Sequence, residues 1–338
     1  MRERIMGTEV LVAGLAPGDA ATVLTWLRRV ERTFSRFLPE SDMGRVNAGG
    51  ETEVSELFLV ALGEAMRWAE TTGGLFSPWL ATELCRAGYA SDFAGLTRAT
   101  PADAGRADAG RAGVPQDGRV VAGGGGVRAR SGPDAGAGRA DGPRAGEGRV
   151  EVDFERRTVR VRGGVGVDLG GFVKGWSVQQ AADALRSRGV RRGLIDAGGD
   201  LVCWRAPLDP PWGIGVEHPL GGVVTTLEPP PGATAVATSS VVRRSWPDAA
   251  GNRLHHLIDP RTGRPAGSDC LQATVITGDL GAAEVYAKCL VILGTREGPR
   301  WLATHAPTAR GILVHRDGTI TTTPGSTAPS GGCVEAGR

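Results

Sequence analysis

Between Thr100 and Arg149 the chain is a low-complexity run of Ala, Gly, Asp, Arg and Pro, with D-A-G-R-A-D-A-G-R-A repeating and Gly123–Gly126 consecutive. Few of its residues could be buried, opposite charges are interspersed, and it offers no aromatic or metal-binding chemistry. Such a stretch cannot bury enough apolar surface to offset the entropy of ordering it, so it reads as an unstructured insert and not as a domain. The expectation is one domain over residues 1–323, interrupted by a disordered insert at 100–149 and followed by a disordered tail at 324–338. With 338 residues, 41% hydrophobic and 22% charged, the chain is long enough to bury a real core.

On either side of the insert, helical and strand periods alternate irregularly. Thr8–Ala13 reads as a strand. After Gly18, Val23, Leu27, Val30 and Phe34 fall at helical spacing, with Arg28, Arg29 and Arg32 among the solvent positions. A second helix follows Ser55, a candidate N-cap, with Leu57, Ala61, Leu62, Ala65 and Ala69 on one face, and it stops at Gly73-Gly74. Beyond the insert, Val159, Val161, Val165 and Val167 predict strands, joined in a hairpin through Gly163-Gly164. A helix carrying Val178, Ala181, Ala182 and Leu185 closes at Gly189. Gly193–Trp204 reads as a strand broken at Ala197-Gly198-Gly199, and Trp212–Val216 and Val223–Leu227 as further strands. Gly311–Thr323 reads as a hairpin, with Asp317-Gly318 in the two positions of a type I′ turn. No regular βαβ alternation exists. That pattern predicts an α+β fold with a mixed, mostly antiparallel sheet core flanked by helices.

Composition excludes several classes. A net charge of +2 supplies no basic stripe for nucleic acid. No apolar run is long enough to span a bilayer and no signal-like segment opens the chain, so the expectation is a cytoplasmic protein without membrane insertion. Five scattered cysteines without C-x-x-C argue against a disulfide framework and a zinc site. Of 39 basic residues only two, Lys174 and Lys288, are lysine. In a chain that uses Arg wherever Arg serves, these two mark places where a compact ammonium fits and a planar fork does not.

Three segments carry polar residues in patterns that chemistry needs. Asp168–Gly175, D-L-G-G-F-V-K-G, ends a strand in paired glycines and leads into a helix, so backbone N–H groups can approach an anion; it matches neither G-x-G-x-x-G nor the P-loop. Leu254–Pro265, L-H-H-L-I-D-P-R-T-G-R-P, holds adjacent histidines, which in a strand point to opposite faces, so at most one enters a given site. Histidine is the natural general base near neutral pH. Ala282–Leu293 is an apolar helix with Asp279 as candidate N-cap and Gly294 closing it. Glu284 and Lys288 lie four apart on one face of it, and a buried pair of that kind needs polar company.

Together these segments resemble the FAD:protein FMN transferase (ApbE-like) family, in order over most of the chain. Met6–Thr8 is like the family's opening, and Phe34–Asn47 is similar to its S-x-F-x-x-x-S-x-x-x-x-x-N region. Gly73–Pro78 resembles G-G-x-F-D-P, Asp168–Gly175 resembles D-L-G-[GA]-I-A-K-G, and Asp196–Leu201 resembles N-A-G-G-D. Ala235–Ser240 followed by His255–Ala266 is close to A-V-A-T-S-G…H-H-I-I-D-P-x-T-G-x-P. The resemblance implies transfer of FMN from FAD to the hydroxyl of a threonine in a target flavoprotein, with release of AMP. It also implies roles. Met6, Phe37, Leu75, Phe76 and Ser77 line the flavin and adenine contacts, Asp168 and Lys174 hold FAD in the Gly-rich turn, His256 is the base and Ile258 lies against the cofactor. Gly171 offers a carbonyl to Mg²⁺.

The chain also departs from the pattern. Where the family's metal helix reads A-D-x-x-A-T, this one reads A-E-V-Y-A-K. Glu284 can still ligate an ion, but Lys288 has no lone pair and repels a dication. The expectation is that the Lys288 ammonium, paired with Glu284, stands in the space of Mg²⁺. Ser77 replaces an acidic residue, and Ser240 replaces a glycine. Three readings follow: a transferase with a modified or metal-independent site, a protein that binds FAD without transferring FMN, and an FAD pyrophosphatase in which water replaces threonine.

Overall fold

The computed structural model describes residues 1–91, 140–141, 149–248 and 250–324. Its centre is an eight-stranded sheet whose spatial order is the chain order: β1 (Arg2–Ile5), β2 (Thr8–Ala13), β3 (Gly193–Ala197), β4 (Leu201–Arg205), β5 (Gly232–Ser240), β6 (Cys270–Thr277), β7 (Arg310–His315) and β8 (Ile320–Thr322). Every neighbouring pair in it is antiparallel. A second sheet of four strands includes Gly50–Glu53, Arg149–Asp153 and Thr158–Arg162. The α+β architecture with an antiparallel core agrees with the sequence.

The period of two along each strand sorts the side chains onto two faces. Val10, Val12, Ile195, Ala197, Val202, Trp204, Ala235 and Ala237 join the main core. Their neighbours Leu194, Leu201, Cys203 and Val236 point the other way, under the hairpin of Ile214–Glu217 and Val223–Leu227. The main core is closed by helices. α1 (Pro17–Phe34) buries Val23, Leu27, Val30 and Phe34 as its spacing predicts. α2 (Glu56–Thr71) is capped by Ser55, whose Oγ accepts the Phe58 N–H at 3.2 Å. α3 (Val173–Ser187) lies over β3 and β4, and α4 (Leu280–His305) lies over β5, β6 and β7. Asp279 caps α4 through Ala282 N–H at 2.7 Å. The helical run breaks at Gly294 (φ 80°), then resumes to His305 with Asp269 accepting the Thr295 N–H at 2.8 Å.

Three local expectations change. Gly163-Gly164 does not form a hairpin: Thr158–Arg162 pairs back onto Arg149–Asp153, while Val165–Asp168 joins no strand. There Asn47 holds Val167 through both its N–H (2.7 Å) and its carbonyl (2.8 Å), doing the work of a strand partner. Gly193–Trp204 is not one interrupted strand but the β3–β4 hairpin, turned at Gly198 and Gly199, both at positive φ. At Asp317-Gly318 only the glycine has positive φ, and its N–H donates to His315 O at 3.2 Å, so the turn is not type I′. Loops with two consecutive positive φ values occur instead at Met6-Gly7, between β1 and β2, and at Gly198-Gly199. Finally, the expected insert and tail lie mostly outside the described residues. Within the insert, however, Ala140–Asp141 pairs with the edge of Arg149–Asp153, and Arg149 itself opens that strand.

Candidate active site

The register of the sheet places the β1–β2 turn, the β3–β4 turn, the C-terminal end of β5 and the start of β6 at one end. α3 begins there and α4 passes over it. Between them opens a cleft of about 1160 Å³. Met6, Phe37, Leu75, Phe76, Ser77, Asp168, Gly171, Lys174, His256, Ile258, Glu284 and Lys288, scattered over most of the sequence, all line it.

Backbone geometry explains how they converge. Met6 sits at φ 54°, a costly position for a residue with a Cβ, and its N–H is pinned to Glu31 Oε1 at 2.7 Å. The loop bearing Leu75, Phe76 and Ser77 is tied at Thr72, whose Oγ1 accepts the Phe76 N–H at 3.1 Å. Pro78 O then accepts the Asp168 N–H at 2.8 Å, joining that loop to the Gly-rich turn. Asp168 Oδ1 receives Gly170 N–H at 2.6 Å. Its Oδ2 lies 3.1 Å from Arg36 Nε, and the Arg36 guanidinium covers the rings of Phe37 and Tyr89 at 4.5 and 4.4 Å. Ile258 is buried in a side cluster with Leu84 and Trp246.

The adjacent histidines do face opposite ways. His255 is buried, with Nε2 3.0 Å from Ala266 O, while His256 faces the cleft. The Arg244 carbonyl lies 3.3 Å from His256 Nδ1. A carbonyl only accepts, so Nδ1 carries the proton and Nε2 keeps its lone pair. Burial, with Arg244 and Lys288 nearby, holds His256 well below its ordinary 6.5. It is therefore a neutral imidazole at neutral pH, available as a base.

The charges form three chains. Lys174, in the first turn of α3, pairs with Asp200 at the head of β4, and Asp200 Oδ1 also accepts the Thr238 N–H at 3.0 Å. Burial pulls the Lys174 ammonium down to about 8, with Glu284 opposing. Glu284 is buried inside α4. Its Oε2 accepts Gly175 N–H at 2.7 Å and its Oε1 accepts from Lys288 Nζ at 3.1 Å. Burial works to raise the Glu284 carboxyl, but Lys288, Lys174 and the Gly175 N–H outweigh it and hold it below its ordinary range. Asp168 goes the other way: burial raises it, although Arg36 opposes.

Sequence reasoning missed Arg36, Asp200 and Arg244, the residues that position Asp168, Lys174 and His256. For Asp200 a signal existed, since a buried lysine needs a carboxylate and D-A-G-G-D offers two. Nothing in the sequence ties Arg36 or Arg244 to their sites.

The residues do not fit the magnesium site that the resemblance implies. Lys288 Nζ sits against Glu284, and a methyl group placed on Gly171 would come within 3.0 Å of Lys288 Cε. The space between the Gly171 backbone and the Glu284 carboxylate thus holds an ammonium stem. An ammonium only donates. Among the described residues no group of three His, Cys, Asp or Glu is placed to hold a metal ion. Nor is any of their helices long and apolar enough to cross a membrane.

The chain is thus an α+β protein built on an antiparallel sheet, with a charged cleft at one end of it. The sequence model of the ApbE family matches residues 6–313, and the chain belongs to that family. It is similar to the FAD:protein FMN transferase of Vibrio cholerae, 34% identical over 136 residues, 39% of this chain and 40% of that protein. It is also similar to that of Rhodobacter capsulatus, 30% identical over 161 residues, 47% of this chain and 30% of that one. The chain thus spans less than half the length of these relatives. The solved ApbE protein of Thermotoga maritima has the same fold, with a TM-score of 0.71 at 24% identity and 96% of each chain covered. The flavin transferase ApbE of Vibrio cholerae superposes with a TM-score of 0.64 at 21% identity, again over 96% of each chain.

Proposed function

We propose that the chain is an FAD:protein FMN transferase, moving FMN from FAD to a threonine hydroxyl of a target flavoprotein and releasing AMP. The observation that carries this reading is the convergence on one cleft of His256 as a neutral, oriented imidazole with the cations Lys174 and Lys288. In the step, the threonine Oγ bonds to the phosphorus of the FMN half. The anhydride P–O bond breaks with its electron pair leaving on AMP, and the hydroxyl proton passes to His256 Nε2. Catalysis of this kind is mostly positioning and charge neutralisation. Asp168 and Lys174 hold FAD at the Gly-rich turn, Met6, Phe37, Leu75, Phe76 and Ser77 line its flavin and adenine contacts, and Ile258 backs the cofactor. Magnesium is the family's expected partner, but position 288 supplies a cation of its own.

That same position favours a second reading, an FAD-binding protein without transfer. The test is incubation with FAD and a domain bearing an acceptor threonine, with covalent FMN and free AMP followed by mass spectrometry. Transfer that is lost in His256→Asn supports the enzyme. FAD binding with no transfer to any acceptor supports the binder, and AMP release without acceptor supports hydrolysis.

A further inference from the structure

The structure assigns neutralisation of the ligand's pyrophosphate to three cations of this chain, Lys174, Lys288 and Arg244, in place of a divalent ion. This rests on the FAD reading above and specifies how its site works. All three side chains line the cleft beside His256. The two lysines are fixed in advance: Lys174 by Asp200 and Lys288 by Glu284, with side chains only 12% and 15% exposed. Ammonium groups held that way present their remaining N–H bonds without reorganising, in a site where water screens little.

Arg244 is the unexpected member. Its backbone carbonyl orients His256, yet among the described residues its guanidinium makes no hydrogen bond or ion pair. Its charge nonetheless reaches Lys174 and His256, which both feel it as a repulsion. The same charge also reaches the Asp168 carboxylate, which Arg36 already pairs, so a half-buried guanidinium with five donors is left without a hydrogen-bonded anion among the described residues. Planar forks of this type favour phosphate oxygens.

Elementary charge counting points the same way. A dication beside one carboxylate leaves a net charge of about +1. Glu284 with Lys288 leaves none, and Arg244 restores the missing unit. On the FAD reading, the ligand these cations meet is an organic pyrophosphate, a dianion carried on a nucleotide.

The test is calorimetric titration of the full chain with FAD, in EDTA and in Mg²⁺, with riboflavin as the phosphate-free probe. Arg244→Gln removes a positive charge, and the double variant Glu284→Gln with Lys288→Met removes the ammonium donor without leaving a buried carboxylate unpaired; thermal melts verify folding. The expected result is equal FAD affinity in both buffers for the native chain. FAD then weakens at least about tenfold in each variant, roughly 1.4 kcal/mol, while riboflavin affinity is unmoved. FAD binding that needs Mg²⁺, or variants that hold FAD within about twofold of the native chain, would overturn the cation cradle and leave the flavin reading standing. No binding of FAD in either buffer would sink both.

Discussion

At Gly175, α3 packs directly against Glu284 and Leu280 of α4, and alanine there puts the packing to a quantitative test. A Cβ at this position would lie 2.7 Å from Glu284 Oε2 and 3.0 Å from the Leu280 carbonyl oxygen. The carboxylate cannot move aside without giving up the Gly175 N–H at 2.7 Å. Overpacking of this kind costs about 1–3 kcal/mol, and a lost hydrogen bond to a charged group about 1.5–3 kcal/mol. Alanine's better helix propensity returns about 1 kcal/mol. The net is a destabilisation of about 1.5–5 kcal/mol, measured by denaturant unfolding of the full chain. Gly18→Ala in the first turn of α1 is the control, because nothing lies within 4 Å of its added methyl; it is expected to be neutral or slightly stabilising. Glu284→Ala removes the obstructing carboxylate, so in that background most of the Gly175→Ala penalty disappears. A Gly175→Ala protein as stable as the control, or a penalty unchanged by Glu284→Ala, would refute the close approach.

Two further outcomes concern protons. The base acts as neutral imidazole, and His256 is held well below 6.5. Transfer is therefore expected to stay flat from neutral pH down to 6.5 and fall only below it, with Arg244→Gln moving the acid limb upward; a limb above 6.5 in the native chain would contradict the burial argument. His256→Asn should cost about 10²–10⁴-fold in transfer while FAD binding changes little. Lys174 loses its proton as pH rises past about 8, so FAD affinity should decline there. Asp200→Asn should shift that decline to lower pH, and an unshifted profile would show that Asp200 does not support the ammonium.

What the sequence reveals here is what local chemistry decides. Thr8–Ala13 is legible as a strand, helical spacing finds the buried side of α1, and Ser55 and Asp279 cap the helices they precede. The failures are places where a partner distant in sequence takes over. Val165–Asp168 has strand composition, but its partner is the Asn47 side chain, 120 residues away. The turn at Asp317-Gly318 looks like type I′ from its residue types, but the His315–Gly318 hydrogen bond sets another geometry. Arg36 and Arg244 belong to a background of abundant arginine, so only their contacts distinguish them.

Lysine, by contrast, is rare enough for its placement to carry information, and that reasoning extends to one more substitution. Both lysines of the chain enter the cleft and end on buried or nearly buried carboxylates. Lys288→Arg keeps the charge but replaces a point-like ammonium with a wider planar fork. The Lys288 stem already lies 3.0 Å from where a methyl on Gly171 would sit, with Phe76 at 3.9 Å from the same point. A guanidinium there must push against the Gly171 backbone or swing away from Glu284, leaving a buried carboxylate short of its closest cation. If fit as well as charge is what keeps lysine at this position, Lys288→Arg lowers FAD affinity about as much as Glu284→Gln with Lys288→Met, although it keeps a cation at position 288. Titration of the two variants side by side measures this. Full affinity in Lys288→Arg would mean that charge alone matters at this position and that lysine's survival there is accidental.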